Sequence, residues 1–162
     1  IRVFCDTDWA GCIKTRKSTQ GGVVMIGNNR LKNWSSTQAI IALSSGEAEY
    51  YGVVKASSIG SGIQSMFNDM GYNMELEVHS DAEAAKGIAA RRGLGKVRHL
   101  AVHYLWVQER VAAGDLILRK VLGKLNPADL LTKHLDFESI RKNMKTFGNE
   151  VVEGRSSIAP SV

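Results

Sequence analysis

The sequence has few of the features that identify secreted, disulfide-linked or membrane-spanning proteins. Its 162 residues include only two cysteines, Cys5 and Cys12, whose spacing fits neither a disulfide framework nor a cysteine zinc site. No apolar run approaches the roughly 20 residues of a membrane span, and no segment resembles a signal peptide. The two cysteines therefore fit a reducing compartment, whereas the targeting of the protein is not readable from this sequence. Because Ile1 lies within a predicted strand, we also expect the native N-terminus to lie upstream.

An excess of positive charge is what the sequence does contain. Lys and Arg number 21 against 16 Asp and Glu, which gives a formal net charge of +5. Much of the excess falls between residues 86 and 124, where only Glu109 and Asp115 oppose the basic residues Lys86, Arg91, Arg92, Lys96, Arg98, Arg110, Arg119, Lys120 and Lys124. A local basic surface within a folded region favours a nucleic-acid partner.

The order of predicted elements indicates an α/β protein with a mixed sheet. A capping-box sequence from Ser44 to Glu47 predicts the start of a long helix, which runs to about Met70 and ends at Gly71. Strands are predicted over 1–6, 21–26, 31–35, 76–80 and 116–121, with a turn at Asn28-Asn29. Further helices are predicted over 81–90 and 98–113, and a last one opens at Asn126-Pro127.

This β-β-β-α-β-α-α-β-α order predicts a five-stranded sheet, three antiparallel strands followed by alternating strands and helices, flanked by the helices. We expect one domain over residues 1–148. Residues 149–162 lack hydrophobic periodicity, so they are predicted to form a disordered tail.

Four carboxylates occupy positions where they could meet. Asp6 and Asp81 each end a predicted strand, and ligands gather at neighbouring strand ends of an open sheet. Glu49 lies on the small, apolar stripe of the long helix, where a carboxylate is costly unless a cation or donor meets it. Asp129 lies in the first turn of the last helix, which it would stabilise in any case. Together they form an oxygen-rich set suited to Mg²⁺.

Such a set suggests phosphodiester hydrolysis, because two Mg²⁺ ions about 4 Å apart can activate water and stabilise the leaving oxygen. Two other kinds of site are less well supported. His99 and His103 have a spacing that can bind zinc, but no third ligand accompanies them. Ser44 and Ser45 lack the nucleophile-elbow pattern of a serine hydrolase.

Six motifs, in order, resemble one known family over about residues 1–135. They are Phe4-Cys5-Asp6-Thr7-Asp8-Trp9-Ala10-Gly11, Thr15-Arg16-Lys17-Ser18-Thr19, Asn33-Trp34-Ser35-Ser36, Ala42 to Tyr50, Val78-His79-Ser80-Asp81 with Val97-Arg98-His99, and Ala128 to Lys133. In this order and spacing the chain resembles the ribonuclease H domain of the Pol polyprotein of copia-type LTR retrotransposons.

The resemblance implies a ribonuclease H-like fold and endonucleolytic cleavage of the RNA strand of RNA–DNA hybrids during reverse transcription. It implies that Asp6, Glu49, Asp81 and Asp129 are the catalytic, metal-binding quartet for two Mg²⁺ ions, with Mn²⁺ as a possible substitute. It also implies a reverse transcriptase domain upstream, no membrane association, and action in a cytoplasmic element particle or the nucleus. Candidate nucleic-acid contacts are Trp9, Arg16, Lys17, Ser18, Arg98 and His99.

The sequence departs from the family pattern in places that concern the substrate. Ala82 and Glu83 replace residues of an Asp-Asn-Gln motif, and Ala101 replaces an aspartate. The loop over 122–125 lacks the histidine of some relatives. Two alternatives therefore remain: a catalytically decayed hybrid-binding domain of a degenerate element, or another DNA nuclease or integrase of the same superfold.

Overall fold

A five-stranded mixed sheet organises the computed structural model, which describes residues 1–93, 95, 102–149 and 154. The spatial strand order is β3-β2-β1-β4-β5. The strands are β1 (Arg2–Asp8), β2 (Thr19–Ile26), β3 (Asn29–Thr37), β4 (Glu77–Ser80) and β5 (Ile117–Lys120). β1 pairs antiparallel with β2 and parallel with β4. The predicted mixed sheet is confirmed, with the first strand at its centre.

The described helices lie between and after the strands. They are α1 (Ser45–Asp69), α2 (Glu83–Ala90), α3 (Trp106–Ala113) and α4 (Phe137–Thr146), with short 3₁₀ helices at Val102–Tyr104, Gly123–Leu125 and Pro127–Leu131. No helix in the described ranges is both long and apolar enough to cross a bilayer.

At the start of α1, one of the two hydrogen bonds of the predicted capping box is present, and the other is replaced. The Glu47 amide donates to Ser44 Oγ at 3.2 Å, as predicted. The Glu47 carboxylate, however, accepts from the Leu43 amide at 2.8 Å and from the Tyr51 hydroxyl at 2.6 Å. Burial explains the difference, because Glu47 is only 2% exposed and needs more than one donor there.

Each face of the sheet carries its own hydrophobic cluster, because neighbouring strand residues point to opposite faces. Val3, Cys5 and Val24 belong to the larger cluster, which includes the buried face of α1. On the other face, Val23, Met25 and Phe147 form a smaller cluster with Phe4 and Leu130 packed against it. The Pro127–Leu131 helix and the residue after α4 therefore cover the face opposite α1.

Three local predictions need correction. The left-handed residue of the β2–β3 hairpin is Gly27, with φ +57, rather than an asparagine, because glycine adopts positive φ without a steric penalty. The helix opened by Asn126 is a short 3₁₀ helix, and a separate α4 follows it. Residue 94 and residues 96–101 lie outside the described residues, as do most of 149–162, so neither the predicted helix start near Arg98 nor the predicted tail is described.

Candidate metal centre

Two of the predicted carboxylates come together because their strands run in parallel. Asp6 lies near the end of β1, and Asp81 directly follows β4. The β1–β4 register places Phe4 opposite His79, so both chains leave the sheet at the same edge. Asp6 is buried, with 1% of its surface exposed.

Glu49 reaches this edge because α1 packs unusually close to the sheet. A Cβ atom at Gly52 would lie 2.5 Å from the Thr7 Oγ1 atom. At Gly60, further along the helix, a Cβ would lie 2.7 Å from Leu76 Cδ1. Glycine at these two contacts lets the helix backbone approach β1 and brings Glu49, one turn before Gly52, to the aspartates.

Asp6, Glu49 and Asp81 offer one carboxylate oxygen each, and these oxygens all lie within 4.8 Å of one another. Among the residues that the structure describes, none donates a hydrogen bond to the buried Glu49 Oε2 atom. Burial, together with the neighbouring Asp6 and Asp81 charges, raises the pKa of Glu49 to about 8. The cluster therefore needs a cation or a proton, and its oxygen donors are compatible with metal binding.

Asp129 lies beside this cluster and is tied to Asp6 through a lysine. Lys133 Nζ lies 3.1 Å from Asp6 Oδ1 and 2.9 Å from Asp129 Oδ1. The Thr132 hydroxyl donates to the other Asp6 oxygen, Oδ2. Burial raises the pKa of Asp129, and the ion pair with Lys133 opposes that shift.

The segment from Asn126 to Lys133 is fixed to the central strands by two features. Buried Asn126 donates through Nδ2 to the Cys5 carbonyl at 3.0 Å and accepts from the Ala128 amide at 3.2 Å. Gly21, which pairs with Asp6 in the sheet, gives the segment room, because a Cβ there would lie 2.7 Å from Leu131 Cβ. Asp129 and Lys133 are thereby held next to the end of β1.

The loop after β1 carries four of the six predicted nucleic-acid contacts. Trp9 is 47% exposed, and its Nε1 donates to the Ala42 carbonyl at 3.1 Å. Arg16 is exposed and has a left-handed backbone, with φ 56. Lys17 is half-buried, whereas Ser18 is fully buried and its hydroxyl accepts from the Ala10 amide at 3.1 Å. In this structure Ser18 supports the loop instead of facing solvent.

The remaining predicted contacts, Arg98 and His99, lie outside the described residues. His103 is exposed and packs against Tyr104, with ring centroids 4.1 Å apart. The charge that Glu83 adds beside the centre is paired with Lys120, whose Nζ lies 2.5 Å from Glu83 Oε1. The Glu83 side chain, which departs from the family pattern, therefore forms its ion pair with β5.

Sequence reasoning missed the residues that support the centre. Thr132 and Lys133 were part of a recognised motif, but nothing in their spacing showed that they contact Asp6. Gly52 lies on the same small, apolar helix stripe as Glu49, but no local pattern shows that it contacts Thr7. An Asn-Pro pair before a short acidic turn was a usable signal, although it predicted a helix start and not a bond from Asn126 to β1.

Comparison with known sequences relates the chain to plant transposons. It is 28% identical over 135 residues to the retrovirus-related Pol polyprotein from transposon TNT 1-94 of Nicotiana tabacum. It is 29% identical over 138 residues to that from transposon RE2 of Arabidopsis thaliana. The matches cover 82% and 83% of the chain but only 10% of each polyprotein. The chain thus spans about a tenth of the relatives' length, and no family model matches it.

Solved structures with the same fold are ribonucleases H. LC11-RNase H1 in complex with an RNA/DNA hybrid matches with a TM-score of 0.51 and 21% identity, covering 81% of this chain and 92% of that one. The N-terminal ribonuclease H domain of rv2228c from Mycobacterium tuberculosis matches with a TM-score of 0.53 and 14% identity, covering 90% and 96%. The chain has the ribonuclease H-like fold and is homologous to a segment of the retrovirus-related Pol polyproteins of plant transposons.

Proposed function

We propose that this chain is the ribonuclease H of a copia-type retrotransposon and hydrolyses the RNA strand of RNA–DNA hybrids endonucleolytically with divalent metal ions. The proposal depends on one observation: in the described part of the chain, the buried Glu49 Oε2 atom lies next to Asp6 and Asp81 and accepts no hydrogen bond. A structural carboxylate would be paired by protein donors. A carboxylate left unpaired next to two others is suited to bind a cation, and a cation bound there could activate water for hydrolysis.

The residues present fit Mg²⁺ or Mn²⁺. Asp6, Glu49 and Asp81 would hold an ion with hard oxygen ligands from three separate elements. Asp129, whose side chain is 18% exposed, would serve a second ion together with Asp6. When bound, such ions make water a nucleophile at neutral pH and stabilise the charge on the leaving oxygen.

The chain's own residues would position the hybrid beside these carboxylates. The loop of residues 9–18 leaves β1 at the same edge as Asp6 and presents an exposed tryptophan ring and the Arg16 guanidinium. Arg16 and Lys17 would contact the phosphates, because phosphates bind basic side chains, and the Trp9 ring would stack on a base. Ser18 holds the loop, and Arg98 and His99 would extend the contacts. Recognition of the RNA strand would depend on its 2′-hydroxyl groups.

The relatives supply the context of the proposal. They are Pol polyproteins about ten times longer than the matched segment, so we propose that the domain acts on hybrids made by a reverse transcriptase of the same polyprotein. The compartment would then be that of the replicating element, a cytoplasmic particle or the nucleus.

The decisive experiment is cleavage of an RNA–DNA hybrid labelled on the RNA strand, in Mg²⁺ and in Mn²⁺, with the 162-residue chain. Asp81→Asn removes one charge from the cluster, and the matched control Asp69→Asn removes the same charge from the exposed end of α1. We expect the wild-type protein and Asp69→Asn to cut the RNA strand at equal rates, and Asp81→Asn to lose activity.

Each rival function predicts a different outcome. Equal cutting of a DNA–DNA duplex would identify a DNA nuclease of the same superfold. Binding of the hybrid without cutting by the folded wild-type protein, in either metal, would identify the decayed hybrid-binding domain and overturn the proposal.

A further inference from the structure

Lys133 has a position that the proposed function does not use. Its ammonium group lies between two of the four carboxylates, 3.1 Å from Asp6 Oδ1 and 2.9 Å from Asp129 Oδ1. Asp6 is 1% exposed, whereas the Lys133 side chain is 40% exposed. Buried Asp6 is thus paired with the ammonium group of Lys133, whose side chain is partly exposed to solvent.

The two oxygens of Asp6 are both engaged from the same short segment. Thr132 donates to Oδ2 while Lys133 donates to Oδ1. Glu49, in contrast, keeps an oxygen without a partner. Within the described residues of the centre, donors therefore engage both Asp6 oxygens and Asp129 Oδ1, and none engages Glu49 Oε2.

We propose that Lys133 is a built-in counter-ion that competes with divalent metal for Asp6 and Asp129, so that full metal loading requires its ammonium group to leave. The inference rests on the proposed function, because it concerns the ions that these carboxylates would hold. Lys133 is a positioning residue in this scheme: in the metal-free protein it holds Asp6 and Asp129 together, and in the loaded protein it yields that place.

Two physical arguments support displacement. A lysine ammonium and a metal cation cannot occupy the same carboxylate oxygens at contact distance without strong repulsion. Lys133 also has a flexible four-carbon stem and a partly exposed side chain, so its ammonium group can be rehydrated once divalent cations replace it at the two carboxylates. Thr132 and Asn126 keep the segment in place when the lysine moves, because their bonds to Asp6 and Cys5 do not involve it.

The first test observes the lysine directly in the 162-residue wild-type protein. Nitrogen-15 NMR of lysine ammonium groups at low temperature detects those protected by ion pairs, and the Lys133 signal is assigned by its absence from Lys133→Arg. We expect this signal to shift or disappear as Mg²⁺ saturates the cluster, followed in parallel by the Asp81 amide. A Lys133 signal that stays unchanged while the Asp81 amide saturates would refute the proposal.

The second test measures Mn²⁺ affinity by titration calorimetry. Lys133→Met removes the competing charge, and we expect it to tighten Mn²⁺ binding on the order of tenfold, a value reduced by the partial exposure of the lysine. Lys133→Arg keeps the charge and should bind as the wild type does. The control Lys32→Met removes a charge from the exposed part of β3 and should change the affinity by less than about twofold.

The outcomes separate the two proposals. Unchanged or weaker Mn²⁺ binding in Lys133→Met overturns the counter-ion role while leaving the nuclease proposal intact. Mn²⁺ binding that Glu49→Gln does not weaken places the measured ion elsewhere and overturns the metal centre itself.

Discussion

Asp6 has two acidic neighbours, Glu49 and Asp129, which differ in their hydrogen-bond partners. On the α1 side, Glu49 is brought in by a helix packed closely on the sheet, and one of its oxygens has no partner. On the side of the segment 127–133, Asp129 is more accessible and is paired with Lys133. The unpartnered oxygen lies on the α1 side, whereas on the other side Asp6 and Asp129 share the ammonium group of Lys133.

The difference shows that burial alone does not make a carboxylate reactive. Asp6 is the more buried residue of the pair formed with Glu49, yet both of its oxygens accept hydrogen bonds. Glu49 lacks such donors, so its environment favours either a proton or a bound cation. The predictions below test whether the two sides differ in function as they do in structure.

The largest expected effect is on cleavage. Glu49→Gln should lower the Mg²⁺-dependent rate by roughly 10³-fold, because a ligand of the central cluster contributes several kcal/mol to catalysis. Asp129→Asn should lose less, about 10-fold to 100-fold, because Asp129 lies outside the group of oxygens within 4.8 Å of one another. Single-turnover cleavage rates of the two variants on one hybrid would measure these losses. Equal losses would show that Glu49 and Asp129 do not differ in their contribution to catalysis.

The next effect concerns the pH dependence of stability without metal. The pKa of Glu49 is about 8 in the folded protein, well above the ordinary glutamate value of 4.5, so between these values the folded state binds more protons than the unfolded state. The free energy of unfolding should therefore fall as the pH rises from about 4.5 to 8, by up to about 5 kcal/mol, and level off above. Urea unfolding of wild type and Glu49→Gln in EDTA checks this, since the variant should lack that part of the slope.

A smaller effect should come from the helix contact that places Glu49. Gly52→Ala puts a methyl group against the hydroxyl of buried Thr7. Rotation of the threonine side chain about χ1 would not relieve this clash, because threonine is β-branched and its methyl group would take the place of the hydroxyl. We expect a loss of about 1–3 kcal/mol of stability and weaker Mn²⁺ binding as α1 moves outward.

Gly62→Ala is the matched control on the same helix. Nothing lies within 4 Å of a Cβ at that position, so the alanine should stabilise the protein by up to about 1 kcal/mol through helix propensity. If both alanine variants behaved alike in thermal unfolding, close packing at Gly52 would not be what positions Glu49.

The smallest effect is stabilisation by metal. Mg²⁺ at about ten times its dissociation constant should raise the free energy of unfolding by about 1.4 kcal/mol, because it binds only the folded cluster. Glu49→Gln should lose this gain, whereas Lys133→Met should show it at lower Mg²⁺ concentrations. Thermal unfolding across a Mg²⁺ series measures the shift, and a gain that persists in Glu49→Gln would speak for binding elsewhere.

Much of the fold was predictable because its signals are local. The strands that meet at the sheet edge, the start of α1 at Ser44 and its end near Gly71 follow from hydrophobic alternation and capping chemistry. The grouping of Asp6, Glu49 and Asp81 was predictable for the same reason: two strand ends and one helix face are local features, and the topology brings them together.

The rest depended on contacts that no local pattern encodes. Lys133 pairs with an aspartate 127 residues away, and Gly52 is small because of a threonine in another element. The short 3₁₀ helix replaced the predicted last helix because Asn126 and Thr132 bond to β1 at either end of the segment. These features arise from tertiary packing, which overrides local propensity.

The bond from Asn126 to Cys5 bears on when the metal centre is assembled during synthesis of the chain. It closes the chain over 121 residues, and the bond from Thr132 to Asp6 closes it over 126. Closing loops of this length carries a conformational-entropy cost that the two bonds must offset. A nascent chain that ends before Asn126 lacks both donors to Asp6, so this carboxylate is paired only after the segment 126–133 has been synthesised.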